Sequence, residues 1–217
     1  MRTRCEQVIS SFLPLLRALV ARELVEKMNN SELLKSGKID VIYTYEPTDG
    51  YYGSQIKKIL RGERKPKFHA EKLLLFILDR ADHVEKVIRP NLERGNIVVV
   101  DRYIHSNLAY QFAEGFSLDL IEFLNKDFPP PHLVIYLDCD PKIAIRRIEP
   151  RYYLSKKEIY DKQDFLELVR ASYEFVLRRG MFIEYDYIVF RTDNFDADKV
   201  VKQSYDFVMK FVKRMLR

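Results

Sequence analysis

Asp101 and Arg102 stand side by side directly after the apolar run Ile97-Val98-Val99-Val100, and Tyr103, Ser106, Tyr110 and Gln111 follow within nine residues. The run reads as a fully buried parallel strand. Opposite charges at the carboxyl edge of such a strand lie where open α/β sheets bind ligands. An aspartate there can hold a metal ion, and an arginine there can grip a phosphate through two parallel hydrogen bonds. Tyr110 and Gln111, on a polar and aromatic helix start, suit the reading of a flat ring, since an amide offers one acceptor and two donors. These types in this order point to phosphate chemistry on a nucleotide. The structural alternative is an Asp101–Arg102 ion pair capping the helix, with Ser106 as a turn or cap residue.

Two further groups carry charge to the same region. Thr44-Tyr45-Glu46-Pro47-Thr48-Asp49-Gly50 follows a short apolar stretch, so Glu46 falls at a strand's carboxyl edge and Pro47 turns the chain away; the same segment also reads as a plain polar loop. Phe76 and Arg80 are four residues apart and share one helix face. A ring and a guanidinium on one face can stack a base and bind its phosphate. Phe76 also belongs to the apolar run Leu73 to Leu78, where a core position explains it equally well.

These residues need a frame that brings strand ends together. Apolar runs alternate with helical stretches, which predicts a three-layer α/β/α domain around a parallel sheet. Strands are expected at 41–43, 97–100, 133–137 and 187–190. Helices are expected at about 15–29, 68–94, 106–114, 118–125, 141–149, 162–179 and 196–216, and Pro129-Pro130-Pro131 is a hard stop before the third of these strands. No linker, repeat or low-complexity segment divides the 217 residues, so a single domain is expected.

Composition narrows the partners. A net charge of +5 fits anionic small substrates, and without a long arginine-rich tract nothing selects nucleic acid. Two cysteines, Cys5 and Cys139, form no metal or disulfide framework and suit a reducing cytoplasm. No apolar run approaches the length of a membrane span. The stretch Val8 to Val20 mimics a signal peptide, but Pro14 and Arg17 break it and it flows into a charged helix.

Glu-Pro after one strand, F-x-x-x-R on a helix, and D-R-Y-x-x-S-x-x-A-Y-Q after the next strand, in that order, resemble the thymidylate kinase family. The resemblance runs from about Thr44 to Tyr173. It includes Leu133 to Asp138 with Pro141, Ala144, Arg147 and Ile148, and the stretch Ile159 to Tyr173. It implies a P-loop-kinase-like fold and transfer of the γ-phosphoryl group of ATP to dTMP with Mg²⁺. It also implies a homodimer formed through helices. Carried onto this chain, Phe76 would stack on thymine, and Arg80 and Arg102 would hold the dTMP phosphate. Ser106, Tyr110 and Gln111 would line the base and sugar. Asp101 would sit near the metal and Glu46 near the acceptor phosphate. Arg147, and Arg151 with Lys156 or Lys157 in a lid at about 149–161, would close on the ATP phosphates; a solvated basic loop explains the lid residues equally well.

Two departures stand out. The family's G-x-x-x-x-G-K-[ST] loop should lie between the first strand and first helix, yet no glycine precedes Gly37, and Gly37-Lys38 is followed by Ile39. Counting back from the first helix, the loop position falls on residues 11–18, with Arg17 where the motif's lysine belongs. Bulky leucine and phenylalanine there cannot form the tight backbone nest that glycine allows. Tyr45 stands where the family commonly has arginine before Glu-Pro. Three explanations stay open on the sequence: a working kinase that holds ATP by other means, a homologue that binds nucleotide without efficient transfer, and an N-terminal stretch, residues 1–20, that does not represent the native one.

Overall fold

A computed structural model describes residues 6–11, 14–145, 163–194 and 196–216, with side chains from Leu16 onward. Five strands form one wholly parallel sheet in the order β2-β3-β1-β4-β5. They are β1 (Glu6–Ser11), β2 (Val41–Tyr45), β3 (Ile97–Asp101), β4 (Leu133–Asp138) and β5 (Asp186–Arg191). The last four match the sequence reading and extend it by one or two residues.

Alternation along the central strands sorts the core into two layers. Ile97 and Val99 of β3, with Leu133, Ile135 and Leu137 of β4, pack against helices α1 (Pro14–Asn29) and α10 (Ala197–Met215). The intervening Val98 and Val100 face α4 (Glu71–His83), α5 (Arg89–Glu93), α6 (Ile104–Ala113) and α7 (Leu118–Asn125). Val134 and Tyr136 face α6 and α9 (Gln163–Arg178). Two covered faces explain why β3 and β4 are buried at every position.

β1 corrects the sequence reading, which places no strand before residue 41. Its six residues, Glu-Gln-Val-Ile-Ser-Ser, lack the continuous apolar run of β3 and β4. Its place comes from pairing: β3 and β4 flank it in register, Val8 beside Val100 and Val134. Two short helices, α2 (Glu32–Ser36) and α3 (Tyr51–Leu60), also lie outside the expected set. The helix expected over 68–94 is α4, a π-helical turn at Val84–Ile88, and α5. Pro90 has no N–H to give to the helical ladder, and the chain shifts register just ahead of it. A helical turn, α8, is described over 141–145; the rest of the expected 141–149 lies outside the described residues.

Candidate active site

Register aligns the strand ends that carry charge. Tyr45 of β2 and Ile9 of β1 both lie beside Asp101 of β3, and the Glu46 N–H donates to the Asp101 carbonyl at 3.0 Å. The strand order reverses its direction of growth around β1, with β3 on one side and β4 on the other, and open α/β sheets bind ligands beyond the carboxyl ends at such a point.

Glu46 is buried beneath this edge and is joined to Pro47 by a cis peptide bond. Arg80 donates to its Oε2 through Nε at 3.1 Å and Nη2 at 2.6 Å. The same guanidinium donates through Nη1 to Asn107 Oδ1 at 3.4 Å and to Asn125, and it lies over the Tyr103 ring at 5.0 Å. At 1% exposure, Arg80 is among the most buried side chains in the protein. His83, one turn along α4, meets Glu46 Oε1 from the other side through Nδ1 at 3.1 Å.

The network continues into α6. Asn125 Nδ2 donates to Asn107 Oδ1 at 2.8 Å, and Asn107 Nδ2 donates to Gln111 Oε1 at 2.7 Å. Gln111 in turn donates to Glu114, which pairs with Lys72. Gln111, Asn107, Asn125, Arg80 and Glu46 therefore form one continuous polar chain, each member fixing the next. Ser106 accepts from the Tyr173 hydroxyl of α9 at 2.9 Å.

Arg102 adopts a positive φ of 67° just past β3, which turns the chain sharply between strand and helix. Its guanidinium lies over the Tyr110 ring at 5.2 Å and donates to the Tyr110 hydroxyl at 3.3 Å. Asp101 is ion-paired with Arg17 of α1 and accepts from the Tyr43 hydroxyl at 3.4 Å. Burial, and next the Arg102 charge, lower the Arg17 pKa to about 9, while contact with Asp101 favours the charged form.

The sequence-derived residues thus fall into three groups. Glu46, Arg80, Asp101, Arg102, Tyr110 and Gln111 meet around the ends of β2 and β3. Phe76 is half-buried one turn before Arg80 and packs with the α3–α4 cluster of Ile56, Ile59, Leu60 and Leu75. Arg147, Arg151 and the expected lid at 149–161 lie outside the described residues. Sequence reasoning misses His83, Asn107 and Asn125. His83 was within reach, three residues after Arg80 on the same face of α4, whereas Asn125 belongs to no motif and joins only through the fold.

On the far side, Asp138 at the end of β4 accepts from Arg170 Nε and Nη2, both at 2.7 Å, and from Arg191 Nη1 at 2.8 Å. Among the described residues no three His, Cys, Asp or Glu side chains converge on a point that could hold a metal ion, and no helix is long and apolar enough to cross a membrane.

A family model for thymidylate kinase matches residues 25–186, a span containing the Glu46–Arg80–Arg102 constellation but not Arg17. A probable thymidylate kinase of Pyrococcus abyssi is 44% identical over 137 residues, 60% of this chain and 63% of that protein. A probable thymidylate kinase of Methanococcus maripaludis is 36% identical over 174 residues, 78% of this chain and 83% of that protein. A thymidylate kinase of Brachyspira hyodysenteriae is 38% identical over 142 residues, 64% of this chain and 67% of that protein. The match to the Pyrococcus protein covers just under two thirds of its length.

Proposed function

The chain belongs to the thymidylate kinase family, and from that premise we propose that it transfers the γ-phosphoryl group of ATP to dTMP, giving dTDP and ADP. The observation that carries this reading is the placement of Arg102, turned by its positive φ at the carboxyl edge of β3, between buried Asp101 and the Tyr110 ring. Phosphoryl transfer rests on positioning and charge neutralisation more than on covalent chemistry with the protein.

In this reading the two arginines divide their work. Arg102, half-buried, holds the dTMP phosphate. Arg80 is committed to Glu46, Asn107 and Asn125, so it fixes the floor of the pocket and the amides above it. Phe76 supplies the stacking face for thymine, and Ser106, Tyr110 and Gln111 line the base and sugar. Arg147 and Arg151 are assigned to the ATP phosphates on the family resemblance alone. Arg17, at the first turns of α1, supplies a buried cation where the family has its P-loop lysine.

Asp101 does not fit a directly bound Mg²⁺ as the site stands. One carboxylate oxygen is taken by Arg17 and the other accepts from Tyr43. Mg²⁺ commonly binds through substrate phosphates and water with few protein ligands. We therefore assign it to the ATP phosphates and route no step through an ion held by the protein. A cytoplasmic location accords with a chain that carries only two cysteines, Cys5 and Cys139. For a homodimer, we assign the outer side of α4, α6 and α9. There Leu74, Leu78, Phe112, Leu168 and Phe175 are exposed, and the Phe112 and Phe175 rings lie 6.2 Å apart. Sedimentation at twice the 25.9 kDa chain mass is the expected result, and a monomer overturns it.

The deciding experiment couples ADP release to dTMP, ATP and Mg²⁺, alongside calorimetry of dTMP binding. ADP formation that depends on dTMP is expected. Binding without turnover overturns phosphoryl transfer, and failure to bind dTMP overturns the acceptor pocket.

A further inference from the structure

Glu46 is gripped from two sides by residues one turn apart on α4. Arg80 takes Oε2, and His83 meets Oε1 through Nδ1 at 3.1 Å. The other ring nitrogen of His83, Nε2, lies 2.6 Å from the Thr44 hydroxyl on β2. A carboxylate only accepts hydrogen bonds, so Nδ1 carries the hydrogen toward Glu46, and in the neutral ring Nε2 accepts from Thr44. His83 is 3% exposed, so water does not substitute for either partner.

We infer that His83 is a positioning residue for the acceptor pocket, acting through Glu46. The inference rests on the dTMP-binding reading above. A carboxylate held at one oxygen can rotate about its last bond; one held at both cannot. Arg80 reads that orientation directly, because Nε and Nη2 both engage the same oxygen. Its third nitrogen, Nη1, then sets Asn107 and Asn125, and Asn107 sets Gln111. Loss of the Nδ1 contact therefore loosens a chain of side chains that ends at the pocket's amide, while α4 itself keeps its packing through Leu73 and Ile77.

The two nitrogens of His83 can be tested separately. Asparagine places an amide N–H near the Nδ1 position and keeps the bond to Glu46. Glutamine reaches toward the Nε2 position and keeps a partner for Thr44 while losing Glu46. We compare His83→Asn, His83→Gln and the wild-type full chain by calorimetry with dTMP and by thermal denaturation. His83→Asn is expected to bind dTMP within about threefold of wild type, and His83→Gln to weaken binding about tenfold, the scale of one lost hydrogen bond to a charged group. Both variants lose one buried contact, so their thermal midpoints should fall by similar amounts. Equal dTMP affinities in the two variants, or affinities that simply track the thermal midpoints, overturn the positioning role. A wild-type chain that does not bind dTMP overturns the acceptor assignment itself, and this inference with it.

Discussion

Arg102 combines a positive φ of 67° with a guanidinium laid over the Tyr110 ring. A side chain with a Cβ in the left-handed region costs on the order of 1–2 kcal/mol, and such strain gathers at functional sites. The turn gives the guanidinium a position over Tyr110 that an ordinary strand-to-helix junction would not. Alanine at this position carries the same Cβ and the same backbone cost, so Arg102→Ala reports on the guanidinium alone. We expect it to weaken dTMP binding by about 1.5–3 kcal/mol, the scale of a removed charged partner, with little change in thermal midpoint. Unchanged affinity in calorimetry would reduce Arg102 to a packing partner of Tyr110. Arg102, like Asp101 and Glu46, was legible in the sequence because an apolar run delivers it to a strand end. The partners of Arg80 were not. Asn107 and Asn125 meet it across 27 and 45 residues, and no spacing rule links a residue of α7 to one of α4.

At the scale of elements, the turn from β2 into α3 holds Glu46 in place. Asp79 of α4 accepts from the Thr48 N–H at 2.8 Å and from its hydroxyl at 2.6 Å. Desolvation raises the Asp79 pKa, opposed by those two bonds, and the nearby Glu46 charge raises it further. Gly53, inside α3, lets the helix approach this turn: a Cβ there would meet the Thr48 carbonyl oxygen at 2.2 Å and Asp79 Oδ1 at 2.8 Å. Glycine to alanine inside a helix ordinarily stabilises by about 1 kcal/mol. Here the sign should reverse. We expect Gly53→Ala to destabilise by about 1–3 kcal/mol, the scale of overpacking, and to weaken dTMP binding by displacing the turn after Glu46. A raised thermal midpoint would show that the turn gives way freely. The same glycine explains why α3 escapes a sequence reading. Tyr51-Tyr52-Gly53 are weak helix formers, and the buried stripe of Ile56, Ile59 and Leu60 begins only afterwards. β1 escapes for a related reason: its neighbours define it better than its own residues do.

At the scale of the whole molecule, His105 ties the layer on one face of the sheet to the chain beyond α9. It is fully buried on α6, and Nε2 lies 2.9 Å from the Met181 carbonyl, to which it donates. Nδ1 has no hydrogen-bond partner among the described residues, so a protonated ring would bury a second N–H with no acceptor. Burial is the main force lowering the His105 pKa to about 4; the bond to Met181 opposes it and the Arg80 charge adds to it. The unfolded chain titrates His105 near 6.5, so between about pH 6.5 and 4 the unfolded state binds the extra proton. Stability therefore rises with pH through that window and is lost as pH falls through it. From pH 7 to pH 5 the loss assigned to His105 is about 2 kcal/mol, or roughly 5 °C in thermal midpoint for a chain of this size. His132, also lowered by burial, loses stability in the same direction, whereas Asp79, with a raised pKa, gains it as the pH falls. The raw pH profile therefore mixes several groups, and a difference between two chains isolates one. His105→Gln keeps an amide donor for Met181 and removes the titration. Its midpoint should fall less than that of the wild type between pH 7 and pH 5, by the roughly 5 °C given above. Parallel pH profiles for the two chains would show that His105 protonates in the folded state as readily as in the unfolded one, and that α6 opens to water at acid pH.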